Sequence, residues 1–290
     1  MNPRPPECKS FLSAFRWEEF EKWLLSDKKP KTAREILNYA RRYFPALESG
    51  NLSEIIVLPP AKRRVVLASL SNLAKFLGVY DYWRGLVHKY GVKWTPKEVR
   101  ERQIIDRISR KRSLKEIYDW VRRVKAEVPE LSDFMILLAV TGMRMIEAVE
   151  SYNLIISLSK EGRLSEYYNP EMEVLEHYKF KDRFLRKSKK AFFSFAPRSI
   201  IERIAEEGKP LTRNMIQLKI KRRKLRLRFG DLREAWASIM TKYLSQPEID
   251  FLQGRVGLSI FMQNYFNPAL VRDLKDRAKK GINEILSNFA

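Results

Sequence analysis

The sequence predicts a mainly α-helical protein with one small antiparallel β-sheet, divided into two domains. Three observations lead there. Most of the chain repeats apolar residues at helical spacing; residues 174–197 instead alternate aromatic and basic residues; and a charged stretch at 91–112, with Gly91 and Pro96, interrupts the pattern. The 290 residues suffice for two domains of ordinary size, and a 44% hydrophobic content with 6 Trp and 16 Phe can fill a core in each.

The first domain is expected over residues 1–90. "SAFRWEEFEKWLLS" sets Phe15, Phe20, Trp23 and Leu24 at helical spacing, with Ser13 as cap. "KTAREILNYARRYFPAL" turns Ala33, Ile36, Leu37, Ala40 and Phe44 inward and leaves a basic face of Lys31, Arg34, Arg41 and Arg42. "PPAKRRVVLASLSNLAKFLGV" opens on two prolines, which suit a helix start, and carries Lys62, Arg63 and Arg64 in its first turns. Its apolar set is Val66, Leu67, Leu70, Leu73, Ala74, Phe76 and Leu77. A fourth helix over 79–90 completes the unit. Residues 91–112 read as a linker, with room for a helical stretch at its centre.

The second domain, 113–290, begins with "SLKEIYDWVRRVKAEVPEL", where Ser113 and Glu116 stand in capping-box spacing. The first half of "LSDFMILLAVTGMRMIEAVE" is apolar all round and so a buried helix; Thr141-Gly142 ends it, and another helix starts near Met143. Residues 174–197, closing on "AFFSFAP", read as a β-hairpin or three-stranded sheet. "PRSIIERIAEEG" and "FGDLREAWASIM" are helical, the latter with Ala235, Trp236, Ile239 and Met240 inside. "NPALVRDLKDRAKKGINEILSNFA" gives an amphipathic helix over 268–288, which either packs on its own domain or docks on a neighbouring copy.

Lys plus Arg is 57 against 35 Asp plus Glu, a net charge of +22. Such a charge repels itself in a compact chain, and a polyanionic partner is the simplest reason to tolerate it. Both halves are basic, which suggests two lobes clamping a nucleic-acid duplex. A membrane partner is disfavoured, because no stretch approaches ~18 consecutive apolar residues. The first ten residues lack the apolar core of a signal peptide. A single cysteine, Cys8, excludes an internal disulfide, and two histidines, His88 and His177, argue against a histidine-based metal site. The expectation is a cytoplasmic protein without metal or cofactor.

Four features bear on chemistry. In "TGMRMIE", Arg144 lies beside buried sequence and needs a partner, which Glu147 can be; the pair is either a structural bridge or an oriented active-site arginine. In "FGDLREAW", Arg233 lies in a first helical turn, where backbone N–H groups and a guanidinium fork together suit a phosphate; the alternative is an ordinary surface arginine. The run "KIKRRKLRLR" holds Lys221, Arg222, Arg223 and Lys224, a solvated face or a duplex-backbone contact. "FLQGRVGLSIFMQNYF" sets Arg255 ten residues before Tyr265. That tyrosine alone reads as one more core aromatic.

Taken in order, "TGMR…E", "DLR", "QGR" and "NYF" resemble the tyrosine recombinase (phage integrase) family. "LRKSKKAFF" and "LQGR" are similar to its archaeal virus and plasmid integrase branch. The likeness is loose over the whole chain and closer over 131–290. The intervals 233 − 144 = 89, 255 − 233 = 22 and 265 − 255 = 10 are near those of the family. The resemblance implies a helical core-binding domain at 1–90 and an α+β catalytic domain at 113–290. Arg144 and Arg233 would grip the non-bridging oxygens of a DNA phosphate, with Glu147 behind Arg144. Tyr265 would attack phosphorus, leaving a 3′-phosphotyrosyl link and a free 5′-hydroxyl. Arg255 stands where the family more often has His or Trp. A lysine of the hairpin loop would protonate the leaving oxygen; Lys189, third after Arg186 and just before the strand, is the first choice, Lys187 and Lys190 are rivals, and Arg186 would join Lys187 and Lys190 against DNA. The active form would be a tetramer on double-stranded DNA sites, passing through a Holliday junction and exchanging the C-terminal helix. One position departs: Gly230 stands where the family commonly has His or Lys, three residues before the second arginine. That departure leaves open a catalytically inactive DNA-binding or architectural protein. A type IB topoisomerase-like enzyme is a further alternative.

Overall fold

In the computed structural model the described residues are 16–94, 113–186, 189–225, 228–255 and 273–289, with 101–102, 104–106, 109 and 271 besides. The chain falls into two compact units, residues 1–111 and 112–290, each with its own apolar core. The fold is mainly helical with a small three-stranded antiparallel sheet.

The first unit contains α1 (Trp17–Leu25), α2 (Pro30–Ser49), the short α3 (Ser53–Ile56), α4 (Pro60–Phe76) and α5 (Tyr80–Lys89). Pro30 and Pro60 occupy first helical positions, where a missing N–H costs nothing. The core closes on the apolar stripes the spacing picks out: Phe20 and Leu24, Ile36, Leu37 and Phe44, Val66, Leu67, Leu70 and Leu73, with Trp83 of α5 fully enclosed. The Trp83 indole N–H donates to Ser71 Oγ at 2.8 Å, so its one polar atom is satisfied. Two expected core residues sit further out. Trp23 is 39% exposed and covers the core edge, stacked at 6.0 Å on Phe20. Leu77 follows the last turn of α4 and is 38% exposed. Ser13 and Phe15 lie outside the described residues.

The second unit runs α6 (Leu114–Glu127), α7 (Ser132–Thr141), α8 (Met145–Lys160), β1 (Tyr168–Asn169), β2 (Val174–Leu175), a single turn α9 (Lys181–Phe184), β3 (Leu185–Arg186), β4 (Lys189–Lys190), β5 (Ser194–Phe195), α10 (Arg198–Glu207), α11 (Arg213–Arg222), α12 (Phe229–Met240), α13 (Gln246–Leu252) and α14 (Leu274–Ser287). The Ser113–Glu116 capping box starts α6 as expected. Every residue of α7 from Phe134 to Thr141 is buried, which makes it the central post of the unit.

The sheet corrects the sequence reading in three ways. Its order is β1-β2-β5, all antiparallel, so its first strand lies upstream of the expected 174–197 segment. Within "AFFSFAP" only Ser194–Phe195 is strand; Phe192 and Phe193 instead pack on Phe251 of α13, with ring centroids 5.1 and 5.4 Å apart. Lys189 and Lys190 form β4 of a separate hairpin, paired with Arg186 and Leu185, rather than lying in a loop ahead of a strand.

A buried hydrogen-bonded chain ties the sheet to α8. The Tyr167 hydroxyl donates to Ser151 Oγ at 2.8 Å and lies 2.7 Å from His177 Nδ1, while His177 Nε2 lies 2.9 Å from Ser194 Oγ. With the tyrosine proton committed to Ser151, the neutral imidazole carries its own on Nδ1. Burial pushes His177 from 6.5 down to about 3. The unfolded chain therefore binds this proton more readily, and the stability from keeping His177 neutral is complete above pH 6.5 and lost as pH falls. Between pH 6.5 and 4.5 the second unit should lose up to about 1.4 kcal/mol per pH unit. Carboxylates held low, such as Glu248, contribute only below 4.5. Denaturant melts of the chain and of His177→Gln across that window check this; an unchanged slope in the variant refutes it.

The C-terminal helix α14 is seated on its own unit. Leu274, Ala278, Ile282 and Ile285 are buried, and Gly281 lies so close to Met240 that a Cβ there would meet its sulfur at 2.5 Å. Arg277 forks onto both oxygens of Glu248 and holds that carboxyl down to about 2. Tyr243 and Lys242 both donate to Glu284. Of the expected helix 268–288, residues 268–270 and 272 lie outside the described residues. No helix among the described residues is long and apolar enough to cross a membrane.

Candidate active site

The buried post α7 ends at Gly142 with φ +60°, the left-handed turn that stops a helix, and the next residues lead into α8. A Cβ on Gly142 would press into the Trp236 ring at 2.5–2.8 Å, so glycine here lets α12 approach. Two side chains one turn apart on α12 then latch onto the end of α7. Trp236 Nε1 donates to Val140 O at 2.8 Å, and Arg233 Nη1 donates to Gly142 O at 2.8 Å. The other fork of Arg233 donates to Gln253 O, and Gln253 Nε2 donates back to Arg233 O at 3.0 Å. Arg233 is thus a half-buried bolt between two turns, not a surface arginine.

Arg144 is the N-cap residue of α8, two residues beyond Gly142. Glu147, 1% exposed, accepts from both the Arg144 backbone N–H (3.1 Å) and its Nη1 (2.8 Å). Both roles weighed for this pair, bridge and orientation, are compatible with that geometry. Arg255 follows the turn at Gly254, its backbone N–H donating to Asp250 O at 2.7 Å and its guanidinium 3.6 Å from the Asp250 carboxylate. These three arginines come from points 89 and 22 residues apart, yet they share one field. Burial, then the like charge of Arg144 and, against the opposing pull of Glu147, that of Arg255, push Arg233 from 12.5 down to about 10. Crowding guanidinium groups is unfavourable until an anion enters, and a tetrahedral phosphate with several free oxygens suits forks arriving from different directions.

The hairpin reaches the same place. Gly254 has φ +60°, and a Cβ on it would lie 1.4 Å from the Lys190 carbonyl oxygen. The backbone of β4 therefore rests directly on the turn that carries Arg255, which brings the lysine-bearing hairpin beside the arginine group. Lys190 is exposed. The side chains of Arg186 and Lys189, and all of Lys187 and Tyr265, lie outside the described residues.

Gly230 stands at the second position of α12, exposed and with nothing within 4 Å of where a Cβ would be. The sequence reading missed Gln253, which is 1% exposed and whose backbone and side chain fasten Arg233. The glycines in "TGM" and "QGR" were the available signal, since each marks a turn against which another element packs.

The remaining basic residues are spread over both units. Lys31, Arg34, Arg41 and Arg42 are exposed on α2, with Arg41 poised 5.4 Å over the Trp17 ring. Arg64 is exposed, whereas Lys62 and Arg63 are half-buried and Arg63 Nη1 is engaged with Ile56 O at 2.9 Å. Lys221, Arg222, Arg223 and Lys224 are all exposed at the end of α11 and the turn after it. No group of three or more His, Cys, Asp or Glu among the described residues could hold a metal ion.

Removing Glu147 should have a double effect. Glu147→Ala strips a buried carboxylate from Arg144, which is itself 26% exposed, so the stability cost is expected at about 2–3 kcal/mol, below that of a fully buried pair. If Glu147 also orients Arg144, any DNA-cleaving activity falls further than the unfolded fraction explains, while DNA affinity stays within a small factor. Parallel melts, binding titrations and cleavage assays separate the two roles.

Compared with known protein families, with curated proteins and with solved structures, the chain matches none.

Proposed function

We propose that the chain is a DNA strand-exchange enzyme of the tyrosine recombinase type, cutting and rejoining double-stranded DNA through a 3′-phosphotyrosyl intermediate. The observation that carries this reading is that Arg233 is bonded to Gly142 O and Gln253 O, which stand two residues before Arg144 and Arg255, with the β3–β4 hairpin docked against Gly254. A phosphodiester in transition gains charge on its equatorial oxygens, and guanidinium groups already fixed by Glu147, Gly142 O and Gln253 O stabilise it without reorganising. Arg144, Arg233 and Arg255 hold the phosphate; Tyr265 supplies the nucleophile; a hairpin lysine, Lys189 first, protonates the 5′-oxygen. Storing the bond energy in the phosphotyrosine lets the strand be rejoined without ATP. Assembly as a tetramer on two duplex sites, with exchange of α14, belongs to the same proposal, as does an intracellular site of action on DNA.

A suicide duplex, nicked so that the cleaved end diffuses away, tests the reading: a covalent protein–DNA adduct should accumulate. The second reading is a DNA-binding protein without cleavage activity, and Gly230 favours it, since glycine offers no group to accept the tyrosine proton. Binding without adduct on every duplex tried selects it. Relaxation of supercoiled plasmid by single copies at no particular site would instead select a topoisomerase-like activity.

Under either DNA-binding reading the affinity is largely counterion release. With ~6–10 phosphates neutralised, it should fall by roughly 10³–10⁵ between 50 and 200 mM salt. Binding titrations across that range check it, and a nearly flat log–log plot counts against a polyanionic partner.

A further inference from the structure

A concavity lined in part by Arg144 has a different chemistry from the arginine group. It encloses about 560 Å³ in the second unit, between the start of α8, the exposed side of α11 and the first turn of α12. Its rim is cationic, formed by Arg144, Arg213, Lys221 and Arg228. Its floor is apolar: Met145, Ile146, Ile220, Leu225 and Phe229. Arg144 and Arg228 are partly neutralised by Glu147 and Asp231. Among the described residues no ion pair engages Arg213 or Lys221. Ile146, an apolar residue, is 36% exposed there.

The two halves of this lining ask for one kind of occupant. A paired duplex presents phosphates and base edges to a protein, which would satisfy the rim and leave the floor wet. A free phosphate likewise has no use for five apolar side chains. An unstacked nucleotide has both parts: a flat base whose faces pack on aliphatic and aromatic side chains, and a sugar-phosphate that the cations can hold. The volume lies within the roughly 300–1,000 Å³ typical of small-molecule sites.

We infer that this groove takes an unpaired nucleotide of the DNA, immediately beside the phosphate held by Arg144. The inference rests on the strand-exchange reading, and it assigns that site a means of holding one base out of the stack while the strand is open. Phe229 supplies a ring already braced edge-on against Trp120, with centroids 5.6 Å apart, so little ordering is needed on binding.

The test uses the full chain and two probes: a duplex with a single unpaired 2-aminopurine, and the same duplex fully paired. The chain should bind the unpaired form roughly tenfold tighter, a modest yield for one stacked base, and 2-aminopurine emission should change on binding. Ile146→Asp places a carboxylate on the half-exposed floor and should erase the preference while holding affinity for paired DNA within about threefold. Arg213→Ala, at the exposed start of α11, should reduce the preference about threefold and guards against misfolding of the first variant. No preference in the parent chain, or a preference that survives Ile146→Asp, overturns the inference. The suicide-duplex assay is read alongside. Adduct without preference sinks the groove alone; preference abolished by Ile146→Asp without any adduct supports the groove and overturns the enzymatic reading.

Discussion

Tyr265→Phe should abolish the covalent protein–DNA adduct completely and leave DNA affinity within about twofold. The substitution removes one oxygen from a residue ten positions beyond Arg255, and the basic residues proposed to attract DNA are others, on α2, α11 and in the arginine group. The hairpin lysines should behave differently, because general acid catalysis acts on the departing 5′-oxygen rather than on the attack. Lys189→Ala is expected to slow cleavage of ordinary DNA by roughly 10²–10⁴-fold. A 5′-bridging sulfur leaves without a proton, so that substrate should be cleaved nearly as fast by the variant as by the parent chain. Lys187→Ala and Lys190→Ala should mainly weaken binding. Rescue in one of those two instead would move the acid by a residue or two along the hairpin and keep the mechanism. Adduct persisting in Tyr265→Phe would mean another nucleophile, and the reading of the last forty residues would fall with it.

What was legible in the sequence follows from which forces leave a periodic trace. The helices of the first unit could be read because each buries one stripe, so Ala33, Ile36, Leu37, Ala40 and Phe44 recur at helical spacing and all end up inside. The enclosed α7 could be read for the opposite reason, an apolar run with no polar face at all. Two-residue strands leave no such trace: β1 has one buried and one half-buried residue, and nothing in "YN" separates it from a turn. The aromatic run 191–195 was legible in part: Ser194–Phe195 is strand, while Phe192 and Phe193 pack on Phe251, which an isolated segment cannot reveal. At the candidate site, the arginines could be picked out by type and order. Their fastening could not, since Arg233 is held by two backbone carbonyls, and every residue has one of those. The cationic groove beside Arg144 was invisible too, because Arg213 and Ile146 acquire their meaning only when α8 and α11 come together.

Gly254→Ala should be among the most damaging single substitutions in the second unit, and a companion variant isolates why. Gly254 and Gly162 have similar left-handed backbones, φ +60° and +68°. For any L-residue that conformation costs roughly 1–2 kcal/mol, so Gly162→Ala, with nothing within 4 Å of the added Cβ, should lose about that much. At Gly254 the same Cβ would fall 1.4 Å from the Lys190 carbonyl oxygen and 2.6 Å from its carbon. Backbone cannot swing aside as a side chain can, so the turn and the hairpin must separate. Adding an overpacking cost of roughly 1–3 kcal/mol brings the expected loss to about 2–5 kcal/mol, or about 10 °C in Tm. Separation also displaces Arg255 and loosens Gln253, whose carbonyl and side chain hold Arg233. A shift of about 1 Å in a catalytic group can cost roughly 10²-fold in rate. Cleavage by Gly254→Ala should therefore fall by at least that factor under conditions where the variant is folded, while binding to duplex DNA, which the proposal spreads over α2 and α11 as well as the arginine group, should drop only a few-fold. Equal losses of Tm in Gly254→Ala and Gly162→Ala would show that the hairpin does not bear on this turn, and the arrangement of hairpin and arginines on which the proposed chemistry stands would have to be given up.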